Sequence, residues 1–500
     1  MSLLGIDVGT SGCKTAVFSE DGRLLALAYE EYDYARPQAG WAELDAPQVW
    51  RKIKQTIGRT VADLSGDPVK ALCVSSLGEA VVPVTADRRI LGPSLLNFDT
   101  RGAEYLSELQ NALSNERLYS INGNTLGNHY SLTKLKWLKQ HQAELYQQTD
   151  KFLHWSGCVS FMLGAEAQID YSLANRTLLF DLERCDWSDE LLGLAQLDRE
   201  KLPPPFPAGT IIGAVTRRIA EELGLPAGIP IVSGGHDQCL SGVGCGVIEP
   251  GRAMYGMGTY ICMMPVFKRR PRAATMMAQG LNTEQHVVPG LFVSFIYNQG
   301  GALVKWFRDT FAALERRQAA DSGLDLYAAL LGEIPDGPSR IMVLPYFTAT
   351  GPPQFIADAS GVIAGVKLET TRGDILKGIL EATTFYLREC FESLPDEIQI
   401  DDFRASGGGS KSAAWLQICA DILDRPVVRP QISEAGVLGA AIMAGTGGGV
   451  FDSVAHGVAT MVKPDRTFYP DPAQCRLYND RFTQYRRLWP LLADYLRDLA

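Results

Sequence analysis

The chain has 500 residues, 46% of them hydrophobic and 21% charged, a composition that excludes a disordered or collagen-like chain and a length that suits about two to four domains. Forty-seven Lys and Arg against 57 Asp and Glu leave a net charge of −10, which excludes a positively coated polyanion binder and with it nucleic acid as the expected partner. A local phosphate site remains open, because backbone N–H groups can hold phosphate without net positive charge.

The opening segment 1–8 is apolar, lacks a basic flank and is interrupted by Asp7. It predicts a buried strand and no signal peptide. Segments 15–18 and 24–29, joined by the Asp21-Gly22 turn pair, complete a predicted β-meander. A helix follows: Asp45 is its N-cap, Pro47 sits in the first turn, and Val49, Ile53, Ile57, Val61 and Leu64 recur at helical spacing. Residues 71–75 form another short apolar strand, which makes this half mixed α/β. Residues 203–207 are a proline-rich loop.

A similar pattern restarts at 252, after the Pro250-Gly251 breaker. Strands are expected over 253–256 and 260–264, with the turn Met257-Gly258-Thr259 between them, and helices over 301–314 and 373–394. A Gly-Thr pair sits in a hairpin turn in both halves, at Gly9-Thr10 and Gly258-Thr259, and suggests two related domains. The window 435–451 is uncharged but holds six glycines; it reads as a buried helix running into a loop, not a membrane span. The chain ends in an amphipathic helix over about 485–499, with Tyr485, Trp489 and Tyr495 expected to pack on their own domain. Ten scattered cysteines without a CxxC pair and six histidines without HxxxH spacing point to reduced thiols in a cytoplasmic protein, without zinc or disulfides.

Three constellations carry chemistry. The first is Gly5-Ile-Asp7-Val-Gly9-Thr10-Ser11-Gly-Cys-Lys14. A carboxylate at the end of a buried strand is costly unless compensated, and a hydrated cation would compensate it. The Gly, Thr and Ser donors with Lys14 suit the phosphates of a nucleotide; a plain charged hairpin is the competing reading. The spacing is not a Walker A loop, and the turn joins two strands where a Rossmann fingerprint would open a helix. The second is Ile229 through Gln238, a buried strand ending in Ser233-Gly-Gly235, with Asp237 able to accept a proton and Gln238 able to bond hydroxyls. The alternative is Asp237 as an Asx-turn cap on a helix over 239–246, and His236 reads as structural. The third is Ser406-Gly-Gly408-Gly409-Ser-Lys411, between a strand at 403–405 and a helix over 412–420, as a loop that lets a ligand approach the main chain; a flexible linker is the alternative.

Taken in order from about residue 3 to 449, these motifs resemble the FGGY carbohydrate kinase family. Ser131-Leu-Thr-Lys134-Leu-Lys-Trp137-Leu is similar to its first signature, with His129 where an aromatic such as Tyr is usual; Gly361-Val-Ile-Ala-Gly365-Val and the run from Asp374 to Glu381 resemble its second, with Gly378 replacing Ala or Ser. The resemblance implies an α/β fold of two ribonuclease-H-like domains of the actin- and hexokinase-like ATPase type, 1–249 and 250–500, the latter with a C-terminal helical extension, closing on ATP·Mg²⁺ and a sugar. It implies Asp237 as catalytic base and Asp7 as a Mg²⁺ partner through water. Thr10, Ser11, Lys14, Gly258 and Thr259 would meet phosphates, and Gly301, Lys305, Gly408 and Gly409 would contact the nucleotide. Glu79, Asp99, Arg101, Asp237 and Gln238 are the implied sugar contacts. Gly78 stands where glycerol kinases carry Arg. The expected activity is phosphorylation of a ketopentose, deoxy-ketose or small polyol, xylulose-like, with a homodimer as candidate assembly and neither membrane nor nucleic acid as partner. The competing functions are an actin-like or chaperone-like nucleotide switch and a non-catalytic sugar sensor.

Overall fold

A computed structural model describes residues 2–64, 66–322, 325–353 and 355–499. Its first strand, β1 (Ser2–Val8), covers the expected segment 1–8 except for Met1, which lies outside the described residues. It alternates with the period of two that a sheet imposes. Leu4, Ile6 and Val8 enter the core under helix α1 (Ala46–Ala62), while Leu3 and Gly5 face the other way. β2 (Gly12–Ser19) and β3 (Leu24–Glu31) complete the antiparallel meander. β4 (Val69–Ser76) runs parallel to β1. α1 begins as its sequence predicts: Asp45 accepts the Gln48 N–H at 2.9 Å, Pro47 lies in the first turn, and Val49, Ile53 and Ile57 are buried. Each such aliphatic side chain contributes roughly 1.5–3 kcal/mol on leaving water. Helix α2 (Trp155–Leu163) and helix α3 (Arg217–Leu223) share that face of the sheet. β5 (Ile211–Ala214) forms the far edge, antiparallel to β6 (Pro230–His236), which is parallel to β4. The order is β3-β2-β1-β4-β6-β5.

The second half repeats this plan. After helix α4 (Asp237–Cys245) comes the hairpin β7 (Gly251–Met257) and β8 (Tyr260–Phe267), with β9 (Ile296–Gln299) paired to β8. Helices α5 (Gly301–Phe311) and α6 (Arg372–Glu392) precede β10 (Ile400–Ser406), which is parallel to β7. Helix α7 (Ala413–Leu423) leads to β11 (Val427–Pro430), parallel to β10, and β12 (Pro464–Phe468) closes the edge antiparallel to β11. Each half therefore holds three antiparallel strands, two strands parallel to the first of them and an antiparallel edge strand. The duplication suggested by the two Gly-Thr pairs is visible in strand order and direction.

The glycine-rich window is a helix, α8 (Ala435–Gly447), and it lies on the first sheet although it belongs to the second half of the sequence. Its glycines explain why. A Cβ on Gly5 would stand 2.0 Å from the Val437 carbonyl oxygen, one on Gly439 1.9 Å from that of Leu240, and one on Gly244 2.0 Å from that of Ala435. Absent side chains let α8, α4 and β1 touch backbone to backbone. A core of Leu3, Phe18, Val232, Leu240, Val243 and Leu438 continues into Met254 and Met264 of the second sheet and binds the halves together. The second sheet's other face packs on α5, α6 and α7.

Three expected elements differ in extent. The helix expected over 301–314 breaks at Ala312. The helix expected from 239 starts at Asp237. The C-terminal helix is two, Pro472–Tyr485 and Leu488–Leu499; Tyr485 is buried and Trp489 packs on the core, whereas Tyr495 is 63% exposed. All ten cysteines are unpaired thiols and eight are buried. Among the described residues no helix is long and apolar enough to cross a membrane.

Candidate active site

The chemistry-bearing residues gather at the carboxyl ends of the first sheet's parallel strands. Asp7 of β1 and Gly235 of β6 both pair with Ser75 of the intervening β4. Two strand spacings of about 4.8 Å place Asp7 and the β6–α4 junction about 10 Å apart. The Asp7 side chain points to the α8 side. Its Oδ1 accepts a hydrogen bond from Ser75 Oγ at 2.7 Å, and its Oδ2 would lie 2.9 Å from a Cβ on Gly436, in the first turn of α8. Burial raises its pKa against the lowering effects of Ser75 and Lys14, and Glu434 adds to the rise. Lys14 itself is ion-paired with Glu434, the N-cap residue of α8, and lies 5.7 Å from the Tyr29 ring. In the turn, Gly9 N–H donates to the Gly12 carbonyl at 2.9 Å and Tyr32 Oη to the Gly9 carbonyl at 2.6 Å, leaving Thr10 partly buried and Ser11 exposed.

Asp237 opens α4. The N-cap is His236, so Asp237 is not the Asx-turn cap of a helix beginning two residues later. Its side chain is 27% exposed, and burial pushes its pKa up to about 7, with the negative charges of Asp7 and Glu79 adding to the rise and Gln238 opposing it. A carboxyl group with that value changes protonation in the neutral range, where a general base is most useful. The junction is braced from below. Asp170 accepts from Ser172 N–H and Oγ at 2.7 and 2.6 Å, and Ser172 Oγ accepts the His236 N–H at 3.0 Å. His236 Nε2 is 3.4 Å from Asp237 Oδ1, and its ring meets Phe295 edge-on. Burial drives His236 down to about 3, leaving it neutral, as its structural reading requires.

Beside Asp237 stands a buried polar cluster in which sequence reading assigned a role only to Glu79 and noted His129 as a departure from the first signature. Arg176 bridges Glu79 and Glu284, donating to Glu284 Oε1 at 2.6 Å and making a second ion pair with Glu79. Burial works to raise the Glu79 pKa, but Arg176, His129 and His236 bring it below the usual value. For Glu284 burial wins and the value rises. His129 and His154, both enclosed, fall to about 4. No local motif marks Arg176 or Glu284; a lone charge in the apolar run 171–180 was the available signal for the former.

Asp99 and Arg101 turn to each other. Asp99 is fully buried and accepts from the Arg101 guanidinium and from Ala42 N–H at 2.6 Å; Arg101, 3% exposed, also bonds Glu43 at 2.7 Å and lies 4.0 Å from the Trp41 ring centroid. Lys134 caps the pair, its ammonium donating to the Asp99 and Arg101 carbonyls.

The second hairpin turn, Gly258-Thr259, is exposed and tied to the start of α5: Gly301 N–H donates to the Gly258 carbonyl at 2.9 Å, and Gly300 N–H to that of Thr259 at 3.1 Å. A Cβ on Gly301 would come within 2.4 Å of the Gly258 oxygen, so glycine is required there. Lys305, one turn into α5, is exposed. The third loop is no flexible linker. Gly407 takes a positive φ of 83°, and residues Gly408–Lys411 form a 3₁₀ turn pinned by Ser410 Oγ on the Gly407 carbonyl at 2.6 Å. A Cβ on Gly408 would meet nothing within 4 Å, whereas one on Gly409 would strike Trp415. A shallow depression of about 530 Å³ lined by Glu30, Arg51, Lys54 and Glu222 lies between α1 and α3, on the far side of the sheet from Asp7's carboxylate.

Two sheets of one topology, facing each other through α4 and α8, with carboxylates on one and glycine turns on both, define a two-domain α/β phosphotransferase architecture. The chain belongs to the FGGY family of carbohydrate kinases: the family's N-terminal domain model matches residues 2–244 and its C-terminal domain model 253–447. It is 29% identical over 505 residues to an autoinducer-2 kinase of Escherichia coli (strain K12), covering 97% of this chain and 94% of that protein. The crystal structure of xylulose kinase from Rhodospirillum rubrum superposes with a TM-score of 0.86 at 26% identity, covering 99% of this chain and 100% of that one. Plasmodium falciparum glycerol kinase with ADP, at 19% identity and a TM-score of 0.85 over 99% of this chain and 98% of that one, shares the fold. The protein is thus an enzyme, a carbohydrate kinase acting on an alcohol group.

Proposed function

We propose that the chain transfers the γ-phosphoryl group of ATP to a hydroxyl of a ketopentose, deoxy-ketose or small polyol, with Asp237 as the proton acceptor. The observation that carries this reading is the pairing of Asp7 and Gly235 with one residue, Ser75, which sets the phosphate-side carboxylate and Asp237 at the same end of one sheet. The substrate oxygen attacks the γ-phosphorus in line, its proton passes to an Asp237 carboxylate oxygen, and the bond to the β-phosphate oxygen breaks to release ADP. The transition state is loose, so positioning and charge stabilisation supply most of the acceleration. Thr10, Ser11 and the Gly258-Thr259 turn bring donors to the phosphates, Gly408 and Gly409 border the adenosine, and Gly301 and Lys305 extend the nucleotide side. Lys14 reaches a phosphate by leaving Glu434. Glu79 and Gln238 bond the sugar hydroxyls, with Asp99 and Arg101 closing that wall.

Asp7 suits a hydrated Mg²⁺: it is a hard oxygen donor whose burial is only partly compensated by Ser75 and Lys14, and Mg²⁺ keeps most of its waters when it binds through one or two carboxylates and phosphates. When bound, the ion neutralises phosphate charge. Asp7 would hold it through water.

A coupled assay of ADP release over a panel of ketoses, aldoses, polyols and aldonates tests the reading. ADP release that depends on one class of sugar is expected. Release indifferent to every polyol would instead mark a nucleotide switch, and binding without release a sensor.

A further inference from the structure

We infer that the pocket beside Asp237 selects uncharged polyhydroxy substrates and rejects aldonates of the same carbon skeleton, because its cationic side chain, Arg176, is already neutralised by two carboxylates. The inference deepens the kinase reading and rests on Asp237 marking the sugar site.

The geometry around Arg176 leaves little for an anion. One face of the guanidinium pairs with Glu79 and another with Glu284, and Asn282 Nδ2 donates at 2.6 Å to the same Glu284 oxygen that Arg176 reaches. The plane is boxed in by Tyr130 at 5.1 Å and Phe295 at 5.8 Å. Only Nε is without a partner among its nitrogens. It would lie 3.5 Å from a Cβ on Gly78, and His236 Nε2 would lie 3.2 Å from the same point. The missing side chain therefore lets Arg176 and His236 close up against the Gly78 main chain, with Arg176 Nε enclosed.

A carboxylate is clamped by two parallel N–H groups, whereas both terminal nitrogens of Arg176 already bond a carboxylate and Nε is enclosed. An aldonate would also set its charge against Glu79 and Asp237 in a poorly solvated site, where like charges repel strongly. Nearby cations offer no relief. Lys134 is committed to the main-chain carbonyls of Asp99, Arg101 and Asn128, and Lys14 is taken up by Glu434 or, once released, by a phosphate. His129, His154 and His236 are held neutral by burial.

The test compares matched pairs on the full-length enzyme with saturating ATP: D-xylulose and xylitol against D-xylonate, and D-fructose and D-glucitol against D-gluconate. ADP release gives kcat/KM, and calorimetry without ATP gives binding independently of turnover. The expected result is a preference of at least a hundredfold for neutral members in binding and turnover. An aldonate that binds as well as its neutral partner, or a panel in which no neutral compound binds, overturns the inference. Neutral binding without any turnover would sustain the charge preference while rejecting the kinase reading. In Glu284→Gln, confirmed folded by its melting curve, Arg176 regains a free edge and the aldonate-to-neutral ratio of kcat/KM or of binding constants should rise about tenfold, whereas Glu284→Asp should keep the parent ratio. Equal losses on both substrate classes in Glu284→Gln would show a merely structural Glu284 and overturn it.

Discussion

The two halves of the molecule place a Gly-Thr turn on the same scaffold and load it differently. In the first, the residue before the last of the hairpin strand is Asp7, paired with Ser75 of the parallel neighbour; in the second it is Gly256, paired with Ser406. One sheet end is acidic and enclosed by α8. The other is small and open, with Gly258 and Thr259 exposed. A carboxylate in such a place needs a cation or proton, whereas glycines let a ligand reach backbone N–H groups. On the reading proposed above, the duplicated fold separates two tasks: the first half concentrates charge where a proton and a metal would be handled, and the second would supply donors to phosphate.

That division can be broken experimentally. Asp7→Asn should keep the fold and lower kcat by about 10²–10³-fold, the scale of losing one preorganised electrostatic contact, as read by ADP release at saturating ATP. A loss under threefold would mean the acidic end is dispensable. The pH profile of kcat/KM for sugar should show an acid limb near pH 7, because Asp237, raised to about 7 by burial, must be ionised to accept a proton; activity falls about tenfold per unit below it. A limb near 4 would contradict the assignment. Gly301→Ala should displace the Gly258 carbonyl, from which its Cβ would be 2.4 Å, raising the KM for ATP about tenfold while leaving that for sugar unchanged. Asp99→Asn should alter turnover least. It weakens a buried pair whose rupture typically costs about 3–5 kcal/mol, so thermal melting should register it. Arg101 and main-chain N–H groups hold the Asp99 pKa below its ordinary 3.8 in spite of burial. The stabilisation is therefore present above that value and is lost as pH falls through the lowered one. A rise in sugar KM without loss of stability would instead make Asp99 a substrate contact.

What the sequence disclosed follows from the range of each interaction. β1, β2 and α1 announce themselves through local periodicity and an N-cap three residues from its partner. The glycine turns are equally local, and so is the carboxylate at a strand end. Arg176 and Glu284 stand 108 residues apart, and Lys14 and Glu434 420 apart; no spacing rule connects them, and only the folded chain brings them together. The same holds for α8. Its glycines read as buried helix from composition, but their purpose, backbone contact with α4 and β1, depends on two partners remote in sequence.

The central claim, that Asp237 accepts the proton of the attacking hydroxyl, is tested most directly by single-turnover quench-flow on Asp237→Asn, with ATP in excess over a neutral sugar found in the panel. The account predicts phosphoryl transfer slowed by about 10²–10⁴-fold, with the sugar's dissociation constant within threefold of the parent enzyme's. Transfer within threefold of the parent rate would contradict it.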